Sequence, residues 1–498
     1  MGRKTIAIVG AGLGGLAAGI YGQLNGYETH IFEQHNLPGG QCTAYKRKGY
    51  TFDVCIHHLF GCGPASALYD LWEELGAVPR KFVPLNECVS VLSLDGKLFR
   101  DYYELEQLEH HMHELAPGDG RMIRDYIGGI RTTAKSDAMG QVMAGSRLDL
   151  LKAVPGLMRS WRWMGATMAQ YGKRFTDPFL RRAVPLLVYT NPEVPVILHL
   201  MRHAYGLTGT LQWPVGGALQ FAQSIAHRYE SLGGSLHLRS RVTKILTEDG
   251  KANGVQLADG SRHDADIVIS NADGRRTIRD MLEGRFEDDR VRELCRPAMD
   301  EMPFAIQVFL GVNRDLSHEP SSMILLLGEP VALAGHECRE VEIQLYGFDP
   351  SMAPAGKGVI KVELSSRYSY WKRLGADREG YTAAKQELAN RVIDLLEQRY
   401  FTGLRQQVEV IDVATLLTWE RYVGGTMGLG MYPNRKTSIA AGMLSNAMTT
   451  SLPGLKDFYF AGTWATNAGA LFMNAHSGKR VMQDICRRDG KRFLSRPA

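Results

Sequence analysis

The residues whose spacing could hold a ligand stand at the start of the chain. Gly10, Gly12, Gly14 and Gly15 follow an apolar run at 5–9 and precede Leu16, Ala17, Ile20 and Leu24 at helical spacing. Gly10 would permit a tight turn, Gly12 would let the backbone approach a pyrophosphate, and Gly15 would let helix and strand pack closely. The helix N-terminus behind them offers unpaired N–H groups and the positive end of a dipole to an anion. Glu33 closes the next apolar run, at 29–33, where a carboxylate can accept hydrogen bonds from ribose hydroxyls. Strand, turn, helix, strand and carboxylate in this order predict a dinucleotide site. A glycine-rich turn that only packs a helix is the competing reading.

The elements that must position such a site are spread along the whole chain. After a loop at 36–41 and a short run at 49–53, Leu68, Leu71, Trp72 and Leu75 mark a helix. Runs at 89–94 and 98–102 flank Asp95-Gly96, a hairpin signal. Residues 105–212 read mostly helical. Gly216-Gly217 opens a helix that ends at Gly233-Gly234, and short strands follow at 236–238, 242–247, 254–257 and 267–270. Runs at 304–312, 323–327, 341–346 and 359–364 predict one further sheet, followed by a helix at 379–399 and a strand at 407–415. The last strand and helix fall at 458–460 and 471–485. The expected fold is α/β: a Rossmann-like nucleotide domain from 1–76, 213–275 and 451–498, with a mixed-sheet α+β substrate domain inserted as 77–212 and 276–450.

Several separated segments resemble one family. Gly39-Gly40-Gln41 with the stretch Gly49 to Asp53 resembles the second glycine motif of the FAD-dependent amine oxidase and phytoene desaturase superfamily. Trp213-Pro214 with Gly216-Gly217, Arg241-Val242, Ala265 to Ala272, and 418–430 carry the likeness onward. Phe458 to Thr463 and Asn467 to Ala470 resemble the family's flavin-binding C-terminus. The resemblance implies FAD, bound without a covalent link. It implies cofactor contacts at Gly10, Gly12, Gly14, Gly15, Glu33, Gly39, Gly40, Gln41, Val242, Asn271, Gly462, Thr463, Gly469 and Ala470. It also implies that the last helix aims its N-terminus at the flavin, where its dipole would stabilise negative charge on the reduced ring.

The branch it most resembles holds bacterial phytoene desaturases, carotenoid isomerases and retinol saturase. That implies an oxidoreductase that desaturates, saturates or isomerises the carbon–carbon bonds of a long apolar polyene or lipid-like substrate. An amine oxidase-like flavoenzyme and a flavin- or lipid-binding module without turnover are the alternatives. Two departures fall on the expected substrate side. Cys55 stands where many members have Gly, and Ala465-Thr466-Asn467 replaces the usual P-G-x-G form.

His57 and His58 follow a predicted strand end and are the candidate catalytic residues, as proton donors or flavin-orienting groups; satisfied structural histidines are the competing reading. His476 in the last helix could face flavin or solvent. Glu420-Arg421-Tyr422 before Gly424-Gly425-Thr426 and Gly428 could line a substrate channel or simply cross between domains. Seven cysteines include no C-x-x-C pair, so no metal site is expected and a reducing, cytoplasmic setting is the default.

The formal net charge of +5 is mild, but eight basic residues crowd 147–182 against Asp149 and Asp177, interleaved with Leu150, Leu151, Leu157, Met158, Trp161 and Trp163. That composition suits a helical segment in contact with a membrane surface. A solvated basic face over a buried apolar one is the other reading. No nucleic-acid module is evident. No run of eighteen apolar residues occurs, and the glycines at 10–15 would break a secretion signal. Oligomeric state is not legible.

Overall fold

Ile6 and Ile8 point to one face of the strand Thr5–Val9 (β1) and Ala7 and Val9 to the other, and all four are buried. A strand apolar on both faces belongs inside a covered sheet. The computed structural model describes residues 2–79, 81–144, 147–287, 289, 292, 301, 303–425, 450–466 and 469–497. In it β1 is the middle strand of a five-stranded parallel sheet, in the order Ser235–His237, Glu28–Phe32 (β2), β1, Ile267–Ser270, Phe458–Phe460. Strands from three distant stretches thus share one ladder. Helix Leu13–Leu24 (α1) packs on the Ile6 and Ile8 face together with Val481, Met482 and Ile485 of the last helix, Leu471–Arg488. The Ala7 and Val9 face is covered by Val242, Ile245 and Val255.

Those covering residues belong to a separate antiparallel sheet, Val242–Glu248 with Lys251–Leu257 and Arg262–Asp264. The short run expected at 49–53 is the second strand of a hairpin, Ala44–Arg47 with Tyr50–Asp53. Its turn residues Lys48 and Gly49 both have positive φ, 47° and 89°. Such a turn is usually signalled by Asn-Gly or Asp-Gly, so Lys-Gly hid it.

The second layer is a seven-stranded mixed sheet in the order Val408–Ala414, Pro303–Val312, Gly358–Arg367, His336–Leu345, Ser322–Leu333, Glu87–Leu92, Leu98–Tyr102. It is antiparallel except where Met323–Leu325 runs parallel to Ser90–Leu92. Helices Leu105–Leu115, Gly120–Ala134 and Val196–Leu207 pack around Val89, Val91 and Phe99 at that end.

The basic segment 147–182 is four short helical pieces rather than one amphipathic helix: Arg147–Ser160, Trp161–Trp163, Met168–Gly172 and Pro178–Ala183. Only its first part presents an apolar face outward. Leu151, Val154, Met158 and Trp161 are 68%, 46%, 73% and 73% exposed, at helical spacing, beside exposed Lys152, Arg159 and Arg162. Trp163 is buried under the Arg162 guanidinium, and Met168, Tyr171, Phe179 and Leu180 are core residues. Arg181 and Arg182 donate to the carbonyls of Phe175 and Leu327. The side chain of Leu150 lies outside the described residues.

Two helix glycines test the packing in opposite directions. A Cβ on Gly478, in the last helix, would stand 2.2 Å from the Gly14 carbonyl oxygen of α1. Gly478→Ala should therefore cost about 2 kcal/mol. Gly128, within Gly120–Ala134, has no neighbour within 4 Å of such a Cβ. Gly128→Ala should add about 1 kcal/mol through helix propensity alone. Urea unfolding midpoints read both, and shifts of the same sign would contradict this account.

Candidate active site

At the carboxyl ends of the parallel strands the chain turns into glycine-rich loops that touch one another. The Gly10 N–H donates to Phe32 O (2.8 Å), the Asn271 N–H to Val9 O (2.8 Å) and the Ala461 N–H to Ser270 O (2.9 Å), so the ladder continues into the loops. The Gly39 N–H donates to Ala11 O (2.8 Å), and Gly39, with φ of 111°, bridges to Gly12. A Cβ on Gly12 would lie 2.5 Å from Asn271 Nδ2, and one on Gly14 would lie 2.6 Å from both Asn271 Oδ1 and the Gly462 nitrogen. The three distant segments meet here with no room for a side chain.

This contact forms the wall of a cavity of about 1030 Å³. Gly10, Gly12, Gly14, Glu33, Gly39, Gly40, Gln41, Val242, Asn271, Gly462, Thr463, Gly469, Ala470, His57 and His58 all line it. Gly15 does not. A Cβ there would strike Gly10 O at 2.1 Å, so its part is to let α1 pack against the turn.

The donor set suits FAD. Glu33 accepts the Ala11 N–H (2.7 Å) and the His35 N–H (2.9 Å), one per carboxylate oxygen, and each oxygen keeps acceptor capacity for a ribose hydroxyl. Burial raises its pKa, and those two N–H groups pull it back. At the far end Ala470 caps the last helix with no side-chain bond to the cap, and Ala470, Leu471, Phe472 and Met473 line the cavity. The first N–H groups of an eighteen-residue helix therefore face the space a flavin ring would fill. Thr463 Oγ1 donates to Asn474 Oδ1 (3.3 Å) and the Gly462 N–H to Ser477 Oγ (2.7 Å), fixing that turn on the helix. Asn467 and Ala468 lie outside the described residues.

The loop that follows Asp53 is held by its carboxylate. Its Oδ1 accepts the Cys55 and Ile56 N–H groups (2.9 and 3.0 Å), and its Oδ2 accepts the Ala218 N–H (2.6 Å) at the start of helix Gly217–Ser231. Asp349 similarly accepts from Trp213 Nε1 (2.7 Å) and the Gly216 N–H (2.9 Å). The Trp213-Pro214 and Gly216-Gly217 motif is thus tied to both layers. Cys55 lines the cavity wall. Val423, Gly424 and Gly425 line it too, while Thr426 and Gly428 lie outside the described residues. His476 is half-buried in the last helix and does not line the cavity.

His57 sits between two carboxylates, with Nδ1 3.8 Å from Glu342 and Nε2 3.5 Å from Glu363. Glu363 is also 3.0 Å from Lys361 Nζ and accepts from Gln307 Nε2 (2.8 Å). Burial pushes Glu363 up, but Lys361 and then His57 more than offset it, so it stays well below the usual carboxylate range. His58 bonds Tyr189 OH (3.3 Å), and burial, then Arg202, drives its pKa well down, so its imidazole is neutral. Arg202 donates to the carbonyls of Leu187 (3.1 Å) and Cys88 (3.2 Å), with its guanidinium 5.0 Å from the centre of the Tyr189 ring.

Sequence reasoning missed Glu342, Glu363, Lys361 and Arg202. It also missed the buried network beneath them, in which Tyr126 donates to Asp101 (2.9 Å) and His203 donates to Tyr102 O (2.8 Å). Cys88, Asp101 and His199 bring possible ligand atoms within 4.8 Å of one another in that network. Tyr126 also bonds His199, so the group is a hydrogen-bonded anchor for helix Val196–Leu207.

The chain matches the family model for flavin containing amine oxidoreductases over residues 13–486. It is 32% identical over 442 residues to a lycopene-forming phytoene desaturase of a Paracoccus species, covering 83% of this chain and 84% of the relative. It is 25% identical over 478 residues to the chloroplastic prolycopene isomerase of Arabidopsis thaliana, covering 90% and 77%. Among solved structures, an oxidoreductase from Methanosarcina mazei shares the fold at a TM-score of 0.60 and 19% identity, over 96% of this chain and all of that one. The chain belongs to the flavin containing amine oxidoreductase family and is an FAD-dependent oxidoreductase.

Proposed function

We propose that the protein exchanges hydrogen across carbon–carbon bonds of a long apolar polyene, with the glycine strip from Gly10 to Gly40, Glu33, Val242, Asn271, Gly462, Thr463, Gly469 and Ala470 holding FAD. One observation carries this reading: the cavity that runs past the nucleotide strip continues between apolar side chains, among them Val188, Leu198, Met201, Phe304, Leu364 and Phe472. Its volume of about 1030 Å³ is slightly above the usual range for one small ligand, roughly 300–1,000 Å³. Relatives named for phytoene desaturation and prolycopene isomerisation support the substrate class. Bound FAD supplies a two-electron hydride acceptor or donor. The chain's own part is to orient the flavin, exclude water and hold the polyene against it.

The same reading draws the substrate from a membrane surface. The apolar face of Leu151, Val154, Met158 and Trp161 beside three cations suits anionic headgroups. Behind that helix a smaller cavity of about 220 Å³ is lined by Gly156, Leu157 and Ser160, and it shares Met201 and Tyr205 with the main cavity. No helix among the described residues is long and apolar enough to cross a membrane. We assign residues 1–76, 213–275 and 451–498 to the FAD domain and the remainder to the substrate domain. His57 and His58 belong to the substrate side.

Three outcomes follow. Anaerobic mixing of the yellow protein with acyclic polyenes should bleach the flavin absorbance, or reoxidise flavin reduced beforehand. A response to primary amines and to no polyene would defeat the reading. Glu33→Ala should weaken FAD about tenfold or more, as loss of charge-assisted hydrogen bonds predicts, and the ratio of flavin to protein absorbance measures it. Met158→Asp with Trp161→Asp should lower flotation with anionic vesicles at least about tenfold, given 1.5–3 kcal/mol for each large apolar side chain buried. Unchanged flotation would remove the membrane contact from this account.

A further inference from the structure

Glu342 and Glu363 are direct partners across the antiparallel ladder of His336–Leu345 and Gly358–Arg367. Like charges facing each other in a sheet repel, and burial sharpens the repulsion. Glu363 is the one held ionised, because its Oε1 takes Gln307, Lys361 and His57 together. Glu342 has no such set. It lines the cavity with a side chain 9% exposed, and His57 Nδ1 stands 3.8 Å away, beyond hydrogen-bonding distance. Two carboxyls whose surroundings separate their proton affinities in this way are an acid–base pair.

We infer that Glu342 is the acid–base group of the reaction: from the cavity wall opposite Glu363, with His57 between them, it exchanges with the substrate the proton that accompanies hydride exchange with FAD. The inference rests on the carbon–carbon reading above. In the desaturating direction one C–H bond gives its hydride to the oxidised flavin. The neighbouring C–H bond gives its proton to the Glu342 carboxylate, and the electron pair left behind becomes the new C=C bond. In the reducing direction Glu342 returns the proton to one carbon as the reduced flavin gives hydride to the other. The imidazole of His57, with Nε2 3.5 Å from Glu363, leaves Nδ1 facing Glu342 at 3.8 Å and separates the two carboxyls.

The groups that face Glu342 are Glu363 and Lys361 on the neighbouring strand, His57 on the loop, Tyr189, and Arg202 on its helix. Burial, and then Glu363, raise its pKa to about 7, against the pull of Arg202 and Lys361. A carboxyl raised in this way binds its proton more tightly when folded than when unfolded. Its contribution is therefore full below the ordinary value of 4.5 and is lost as pH climbs to about 7.

The test uses the flavin-loaded full chain, Glu342→Gln and Glu342→Asp. In single turnovers with a reactive polyene, Glu342→Gln should slow the flavin absorbance change about 10²-fold or more. It should also remove the pH dependence of that rate and leave flavin content unchanged. Glu342→Asp should keep part of the rate. Two readouts need no substrate. Burial also raises Asp101 to about 7, so the infrared readout is the difference between native chain and Glu342→Gln at pH 6, which should show the loss of one buried protonated-carboxyl band. The fall in melting temperature between pH 5 and about 7 should flatten in the same variant. A wild-type rate and pH profile in Glu342→Gln overturns the inference, as does a difference spectrum with no protonated-carboxyl band lost. If no polyene reacts with the native chain, the substrate reading fails by itself, and the infrared and melting results still decide whether Glu342 is the buried acid.

Discussion

The whole site depends on glycine backbone closing around one side chain, Asn271, where no second side chain fits. Gly12, Gly14 and Gly462 converge on the Asn271 amide, and Gly478 lies against the Gly14 carbonyl from the other side. Each approach is closer than a Cβ tolerates, so the chain gives up side-chain packing at these points to gain proximity. That proximity lets a strand end, a loop and two helices form one continuous wall. The hydrogen bonds of the parallel ladder run straight into that wall through Gly10, Asn271 and Ala461, so the cofactor surface is an extension of the sheet.

Local signals made the nucleotide half readable. The spacing of Gly10, Gly12 and Gly15, the carboxylate of Glu33 and the Gly39-Gly40 pair each serve contacts made within a few residues or in one βαβ unit. The strand blocks at 304–364 were readable from their apolar runs, and they form one sheet as expected. The polar heart of the substrate side was not. Lys361 and Glu363 alternate with Ile360, Val362 and Leu364, and Glu342 and Gln344 alternate with Val341 and Ile343. By period alone that pattern means one face in the core and one in water. Here both faces are covered, and the polar face turns inward onto the cavity and His57. Which side of a sheet meets solvent is decided by the layer packed on it, and sequence spacing does not carry that information. The basic segment failed in a related way. Its composition averages over 147–182, whereas the fold buries Trp163 and Phe179 and, among the described residues, exposes large apolar side chains of this stretch only from Leu151 to Trp161.

The two ends of the cavity are built by opposite means. The nucleotide end relies on fixed dipoles, namely backbone N–H groups and the last helix, and needs few ionisable side chains beyond Glu33. The other end holds Arg202, Lys361, Glu342 and Glu363 out of water, compensated chiefly by each other and by carbonyls. Buried charge of this kind is expensive, and leaving one member unpaired costs several kcal/mol. Asp53 and Asp349, each tying a loop to the Trp213–Gly217 turn, hold the two ends in register.

The order of strands also dictates a history for each newly made molecule. β1 leaves the ribosome more than four hundred residues ahead of the strand that completes its sheet, Phe458–Phe460, and of its helical cover, Leu471–Arg488. Until those last segments emerge, Ile6, Ile8 and the inner face of α1 have no Val481, Met482 or Ile485 to pack against. Contacts separated by more than four hundred residues form slowly, because the intervening chain must be ordered first. The nascent protein must therefore carry an incompletely covered apolar sheet while the intervening residues are made, a long exposure to aggregation for which chaperone protection is the physical remedy.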